Sequence, residues 1–384
     1  MLSGRILLLI SFMAYVFYAI LATEIGPALP EISLEFKLSE AITGIVVSLQ
    51  FVAGILAVLG GFLSDIFGSV RFISISLGLI GVSALLLSYS TDLFIIGLAF
   101  FLMGTGFSFF EASVNAFISS IFSEKRGMSI NLLHIGWGVG STLGPVMIAF
   151  TILSYGSWRL GYLMIVPFMI FFSLVYGIFI QRSFKIAESG EELKRKHRDS
   201  GKSLLISVLP VFLTSFLLMS CKLGINTWLP YILQDQGGTI MEASLTISLF
   251  WMLISVGRLV WAPFVDRLGY WRVVTFTSLA SLILLIPTIL PIPLHTKMIL
   301  YSSIGFFLGP IYPTLIAITT TYSPKRGGTL VGAIYAFGTL GTVFSTIITG
   351  FTIELFGSSI AQIIFPAILS LILATSYTSL KQLR

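Results

Sequence analysis

The chain has 384 residues, 56% hydrophobic and only 10% charged, with a formal net charge of +6. A soluble domain usually carries about 25% charged residues, so this composition excludes an ordinary water-soluble globule and makes the bilayer the expected solvent. The single Cys221 excludes an intramolecular disulfide and the cysteine-rich metal motifs.

A helix rising 1.5 Å per residue needs about 20 residues to cross hydrocarbon. Twelve apolar runs meet that length: 6–26, 41–64, 71–89, 93–117, 127–151, 158–180, 204–232, 240–264, 272–291, 297–320, 328–350 and 358–380. These are spans 1 to 12. Span 1 follows a lone Arg5 and has no convincing small-residue cleavage site, so it reads as a retained helix. Glu24 and then Leu29-Pro30 close it. Asp65 and Arg71 flank the turn between spans 2 and 3.

Span 4 ends in the run Phe107 to Phe122, FSFFEASVNAFISSIF. Ser108, Glu111, Asn115 and Ser119 are three, four and four apart, so they share one helical face. An ionised carboxylate in hydrocarbon is expensive. Glu111 is therefore expected to face a wet cavity or to keep its proton, and both suit a proton carrier. The plainer alternative is a glutamate bonded permanently to a neighbouring helix. Asn131, His134, Gly138 and Ser141 make a similar stripe on span 5. Counting along the helices places Glu111 and His134 each about 10 Å from the same membrane face. Glu111, Asn115, Asn131 and His134 are thus expected to form one polar cluster, with His134 either titrating or acting only as a structural hydrogen-bonder.

The segment 183–203 is the only long charged stretch. Its charges are mixed, as in a solvated connector rather than a nucleic-acid tail. It divides the chain into an N-terminal half, 1–182, and a C-terminal half, 204–384. On span 7, Lys222 and Asn226 share a face. Lys222 and Glu24 count to nearly equal depth, about 27 and 28 Å from the face bearing the termini. Three readings stay open for Lys222: an outer ion pair with Glu24, an anion-binding group, or a snorkelling lysine. Asp266 and Arg272 flank the turn between spans 8 and 9. Trp137, Trp228, Trp251, Tyr312 and Tyr335 could stack on a solute, or serve as packing and interface anchors.

Twelve spans put both termini on one side. Eighteen Lys and Arg residues, Arg258 among them, are assigned to that side, against Lys37, Arg159 and Lys297 opposite, with Lys222 inside a span. The excess marks the terminal side as cytoplasmic in a multi-pass protein of the cell membrane.

The halves repeat. Asp65-Ile-Phe-Gly68-Ser-Val-Arg71 matches Asp266-Arg-Leu-Gly269-Tyr-Trp-Arg272, Ser123-Glu-Lys125-Arg126-Gly127 matches Ser323-Pro-Lys325-Arg326-Gly327, and Leu29-Pro30 matches Leu229-Pro230, at offsets of 201, 200 and 200. Such a repeat implies two six-helix halves related by an axis along the membrane normal.

With these motifs the whole chain resembles a major facilitator superfamily transporter. Gly61 to Arg71 is similar to that family's signature loop between helices 2 and 3. Glu111-Ala-Ser-Val-Asn115, Asn131-Leu-Leu-His134, Gly144-Pro145, Phe250-Trp251, Gly257-Arg258 and Gly309-Pro310-Ile-Tyr312-Pro313-Thr314 resemble the fucose–glucose–galactose proton symporter branch. The resemblance implies an all-α fold of twelve transmembrane helices in two pseudo-symmetric halves, with helices 1, 4, 7 and 10 lining a central cavity that opens alternately to each side. It implies a secondary active transporter for a sugar or related metabolite, with Glu111 in proton coupling and Asp65, Arg71, Asp266 and Arg272 in gating. The residues themselves, read by face and depth, add His134 to proton coupling, Asn115, Asn131, Lys222, Asn226, Trp251 and Tyr312 to substrate contact, and Glu24 and Lys222 to gating.

Other readings are a proton-coupled drug or metabolite antiporter, since Gly140-Ser-Thr-Leu-Gly144-Pro145 partly resembles the antiporter motif, and an organic-anion transporter using Lys222. A nutrient sensor of the same fold would usually add a long signalling tail, which the short ends do not suggest. No nucleophile–base pair, P-loop or metal-ligand cluster stands out, so an enzyme is not expected, nor a cofactor or metal. The expected partners of a monomer are a small-molecule substrate, protons and the lipid bilayer, not nucleic acid.

Overall fold

The computed structural model describes residues 4–122, 126–180, 201–322 and 327–382; the side chains of 58, 61, 65, 126–128, 131, 179, 201–208, 266, 320–322, 327–331 and 380–382 are outside the described set. The connector at 181–200 and the gating or binding roles expected of the Asp65, Asn131 and Asp266 side chains therefore lie outside the described residues.

Every regular element among the described residues is helical. Eleven helices are long and apolar enough to cross a membrane. The expected span 2 differs, because it is built of Glu40–Val52 and Ala57–Phe67 joined by a tight 3-10 turn, Ala53–Leu56. Gly54 sits in that turn, and Thr339 of span 11 packs directly against it. A close crossing and a residue without a side chain coincide where the helix tightens. Span 10 is broken as Gly309-Pro310 requires, into Leu294–Leu308 and Ile311–Tyr322.

Span 1 runs over Gly4–Glu35 and span 7 over Gly201–Asp235, both longer than a bilayer needs. Span 4 is Leu93–Ile121, span 5 Arg126–Tyr155, span 8 Ile240–Leu268 and span 11 Gly327–Phe356.

Equivalent positions in the two halves adopt equivalent geometry. Ser39 caps span 2 by accepting from the Ile42 amide, and Thr239, 200 residues on, caps span 8 by accepting from the Glu242 amide. Gly68 and Gly269 turn the signature loop at φ 86° and 89°, a backbone region that favours glycine. Gly104 of span 4 lies against the Gln50 carbonyl, and Gly305 of span 10 lies against the Phe250 carbonyl. The absence of a side chain permits each close approach, and the crossing recurs at offsets of 201 and 200.

The halves meet closely at the end that the loop charges mark as external. A side chain on Gly26 would run into the Asn226 carbonyl and the Pro230 ring. These two positions are repeat partners, so spans 1 and 7 cross near the pseudo-symmetry axis. Around that crossing Tyr231 Oη donates to Glu40 Oε1 at 2.6 Å, and the Ala41 amide donates to Glu354 Oε2 at 2.9 Å. Glu354 thus sits on the N-terminus of span 2 in the opposite half, where the helix dipole favours an anion.

Candidate functional site

Span 4 carries Glu111 to the centre of the assembly because its small residues face the neighbouring helices. Gly104 and Ser108 both lie against span 2, and Ser108 Oγ donates to the carbonyls of Gly104 and Ala53 at 2.9 and 3.3 Å. The next residues on that face are Glu111 and Asn115. Tyr15 Oη of span 1 donates to Glu111 Oε2 in a short hydrogen bond. Asn115 Nδ2 donates to Glu111 Oε1 at 3.2 Å and to the Glu111 carbonyl at 2.8 Å. The Tyr15 hydroxyl also lies 3.3 Å from His134 Nδ1 of span 5. Spans 1 and 4 therefore hold the carboxylate, span 5 joins through Tyr15, and the expected grouping of Glu111, Asn115 and His134 is present, with Tyr15 as its hub.

Aromatic rings continue the site away from Glu111. Tyr15 meets Tyr18, His134 and Trp137 edge to face, with centroids 5.3, 5.3 and 6.3 Å apart. Trp137 in turn meets Trp251 of the opposite half at 5.8 Å. Trp251 Nε1 donates to Asn226 Oδ1 at 2.7 Å, so the Asn226 amide oxygen orients this indole. Lys222 Nζ lies 5.3 Å from the Trp251 ring centre and 5.9 Å from that of Tyr312. Arg258 of span 8 is within electrostatic reach of Lys222, Tyr312, Tyr15, His134 and Glu111. Glu111, Asn115, His134, Trp137, Arg258 and Tyr312 are each half-buried although they lie mid-span between the halves. Side chains with that combination line a space among helices rather than fill a solid core.

Two sequence expectations need correction. The Glu24–Lys222 ion pair is not made. Among the described residues the ion pairs are Arg159–Glu35 at 2.5 Å and His295–Glu242 at 3.1 Å. Both Glu24 carboxylate oxygens are buried without a hydrogen-bond partner, in electrostatic reach of Tyr162 on span 6. Equal depth was right, but direction was not considered. Glu24 is two residues from Gly26, about 200° around a helix of 3.6 residues per turn, so it points away from the crossing with span 7. Lys222 faces spans 8 and 10. Its helix, Gly201–Asp235, is about 52 Å long at 1.5 Å per residue, and Lys222 lies about 32 Å along it, nearer the middle of span 7 than its outer end.

Arg258 is the second correction. It was assigned to the cytoplasmic side, yet it lies ten residues before the end of span 8 and faces the cavity. The signal was available, since a cation inside an apolar span marks a functional position. Tyr15 and Tyr18 were also missed, because aromatic residues on span 1 look like ordinary apolar filling until their hydroxyls are placed. Trp228 is a packing residue, with its indole Nε1 donating to the Thr346 carbonyl at 2.9 Å. Arg71 and Arg272 are exposed beside the two signature turns.

A family model described as Major Facilitator Superfamily matches residues 7–346. Among curated proteins, a TsgA homolog from Buchnera aphidicola subsp. Schizaphis graminum is 24% identical over 240 residues, covering 62% of this chain and 60% of that protein. TsgA from Shigella flexneri is 24% identical over 245 residues, 63% of this chain and 61% of that protein. The matched region spans about three fifths of these relatives' length. Among solved structures, a bacterial homolog of the human lysosomal transporter Spinster, in an inward-facing and occupied conformation, superposes with a TM-score of 0.78 at 14% identity over 98% of this chain and 97% of that one. The nucleoside transporter NupG gives a TM-score of 0.74 at 12% identity over 96% and 98%. At these identities the structural likeness speaks to the fold.

Proposed function

The chain belongs to the major facilitator superfamily, and from that premise we propose that it is a secondary active transporter that carries a small solute by alternating access and takes its driving force from protons held at Glu111. It works in the cell membrane with both termini cytoplasmic, an orientation supported by the loop charges. Seventeen basic residues remain on the terminal side against three opposite once Arg258 is moved into its span.

One observation carries the proton reading. Glu111 is a half-buried carboxylate at mid-span, held by donors from other positions and belonging to no ion pair among the described residues. A carboxylate locked to a permanent counter-ion would have no reason to change its protonation. A carboxylate beside a lined space can exchange its proton when that space opens to water. Tyr15 touches both Glu111 and His134, so a change at either is transmitted to the other and to the ring stack beyond. The contacts at the external end describe the closed side of the cycle. Opening it requires spans 1 and 7 to part and the Tyr231–Glu40 and Ala41–Glu354 bonds to break.

One proton crossing 100 mV supplies about 2.3 kcal/mol, enough for roughly 50-fold accumulation. Glu111→Gln keeps the shape of the protonated acid but cannot release a proton. In liposomes this variant is expected to lose uphill accumulation driven by a pH gradient while retaining exchange of labelled solute. Unchanged accumulation would refute the proton role, and loss of exchange as well would assign Glu111 to solute binding.

A further inference from the structure

We propose that the solute is an organic monoanion, a carboxylate with an aromatic or apolar body, whose acid group sits between Lys222 and Arg258. This rests on the reading of the cavity as the transport site and adds the class of substrate.

Charge in the cavity does not balance. Lys222 and Arg258 bring two cations from the C-terminal half, and Glu111 brings one carboxylate from the N-terminal half. Glu111 already accepts from Tyr15 and Asn115. Neither cation belongs to an ion pair among the described residues, where both pairs lie near the ends of spans. Lys222 is only 7% exposed. Its ammonium is attracted by the faces of Trp251 and Tyr312, but a ring face accepts no conventional hydrogen bond. Arg258 Nε is buried with no hydrogen-bond partner. Burying a charge without a partner is costly, and such groups usually meet an opposite charge. A single anion would neutralise the excess, and a guanidinium is shaped to hold a carboxylate through two parallel bonds.

The walls define the rest of the ligand. Trp251 is fixed by Asn226 and meets Trp137 across the halves, giving a rigid aromatic surface directly beside Lys222. A carboxylate bound by Lys222 and Arg258 would lay its body on these rings. A neutral sugar could stack there too, but it would leave the excess positive charge without a counter-ion. A hydrophobic cation would be repelled by them.

The test uses the full-length protein in detergent, with the fluorescence of its tryptophans reading binding. The probes are benzoate, phenylacetate and hexanoate, the matching amides, and the sugars glucose, galactose and fucose. At least one acid is expected to bind at least about tenfold more tightly than its amide, the scale of one lost charge-assisted hydrogen bond. Lys222→Gln and Arg258→Gln should each weaken that acid by about tenfold or more. Arg258→Lys keeps the charge and should recover part of the affinity, which separates loss of the site from loss of the fold. Equal binding of acid and amide, tighter binding of a sugar, or binding of no acid would overturn the assignment. Uptake by liposomes then separates the two readings. An acid that binds through both cations but is never carried refutes transport and leaves the anion site standing. Proton-driven uptake of a sugar does the reverse.

Discussion

Glu111 keeps two donors on its two oxygens, Tyr15 on one and Asn115 on the other. Neither donor is charged, so the carboxyl can gain or lose a proton without breaking an ion pair. Glu24 is the contrasting case, buried with both oxygens unpartnered and turned away from the crossing of the halves. The two acids differ in depth as well as in surroundings, and only Glu111 borders the aromatic space. Since Glu24 and Lys222 face different neighbours, Glu24→Ala and Lys222→Ala should not rescue each other. A double-mutant cycle on thermal unfolding in detergent is expected to be additive within about 0.5 kcal/mol, as for residues without shared partners. Coupling of about 1 kcal/mol or more would restore the ion pair to the account.

Spans 1 and 7 cross where Gly26 meets the Asn226 carbonyl, and this contact can be made only without a side chain. Gly26→Val should therefore hold the external end apart. Spin labels at Leu34 and Gln234, near the external ends of these spans, should move to longer separations. The buried Cys221 leaves little background labelling. Glu354→Ala should shift the same distance less, because the bond it removes lies at an exposed position and such a bond contributes about 1 kcal/mol. An unchanged distance in Gly26→Val would show that this crossing does not limit opening. Much of this level was legible in the sequence. The length of the apolar runs placed the spans, and the repeat of Asp65–Arg71 at Asp266–Arg272 anticipated two turns of matching backbone geometry. The faces of the helices were less legible. Glu111, Asn115 and His134 were recognised because polar residues on an apolar helix stand out. Tyr15 and Arg258 were not, since one resembles core and the other was assigned to a loop. Counting rise gives depth, whereas contact also depends on azimuth and on the partner helix, which only packing supplies.

At the scale of the molecule, the two halves contribute different chemistry to one space. The N-terminal half supplies Glu111, Tyr15 and His134, and the C-terminal half supplies Lys222, Arg258 and Trp251. The halves meet through Trp137 and Trp251 at the centre and through spans 1, 2, 7 and 11 at the external end. Rocking one half against the other would expose the same central groups to either side, the geometry alternating access requires. Orientation has its own check. Cysteines placed at 183–203 should react only with reagent supplied from the cytoplasm, and labelling of intact cells from outside would invert the topology. The most direct test of the central claim is proton movement driven by solute alone. Liposomes containing the protein and a trapped pH dye, with no initial pH gradient, receive an inward gradient of whichever tested solute they take up. The account predicts internal acidification with the wild-type protein and none with Glu111→Gln. Solute entry without acidification in the wild type, or equal acidification in Glu111→Gln, would contradict it.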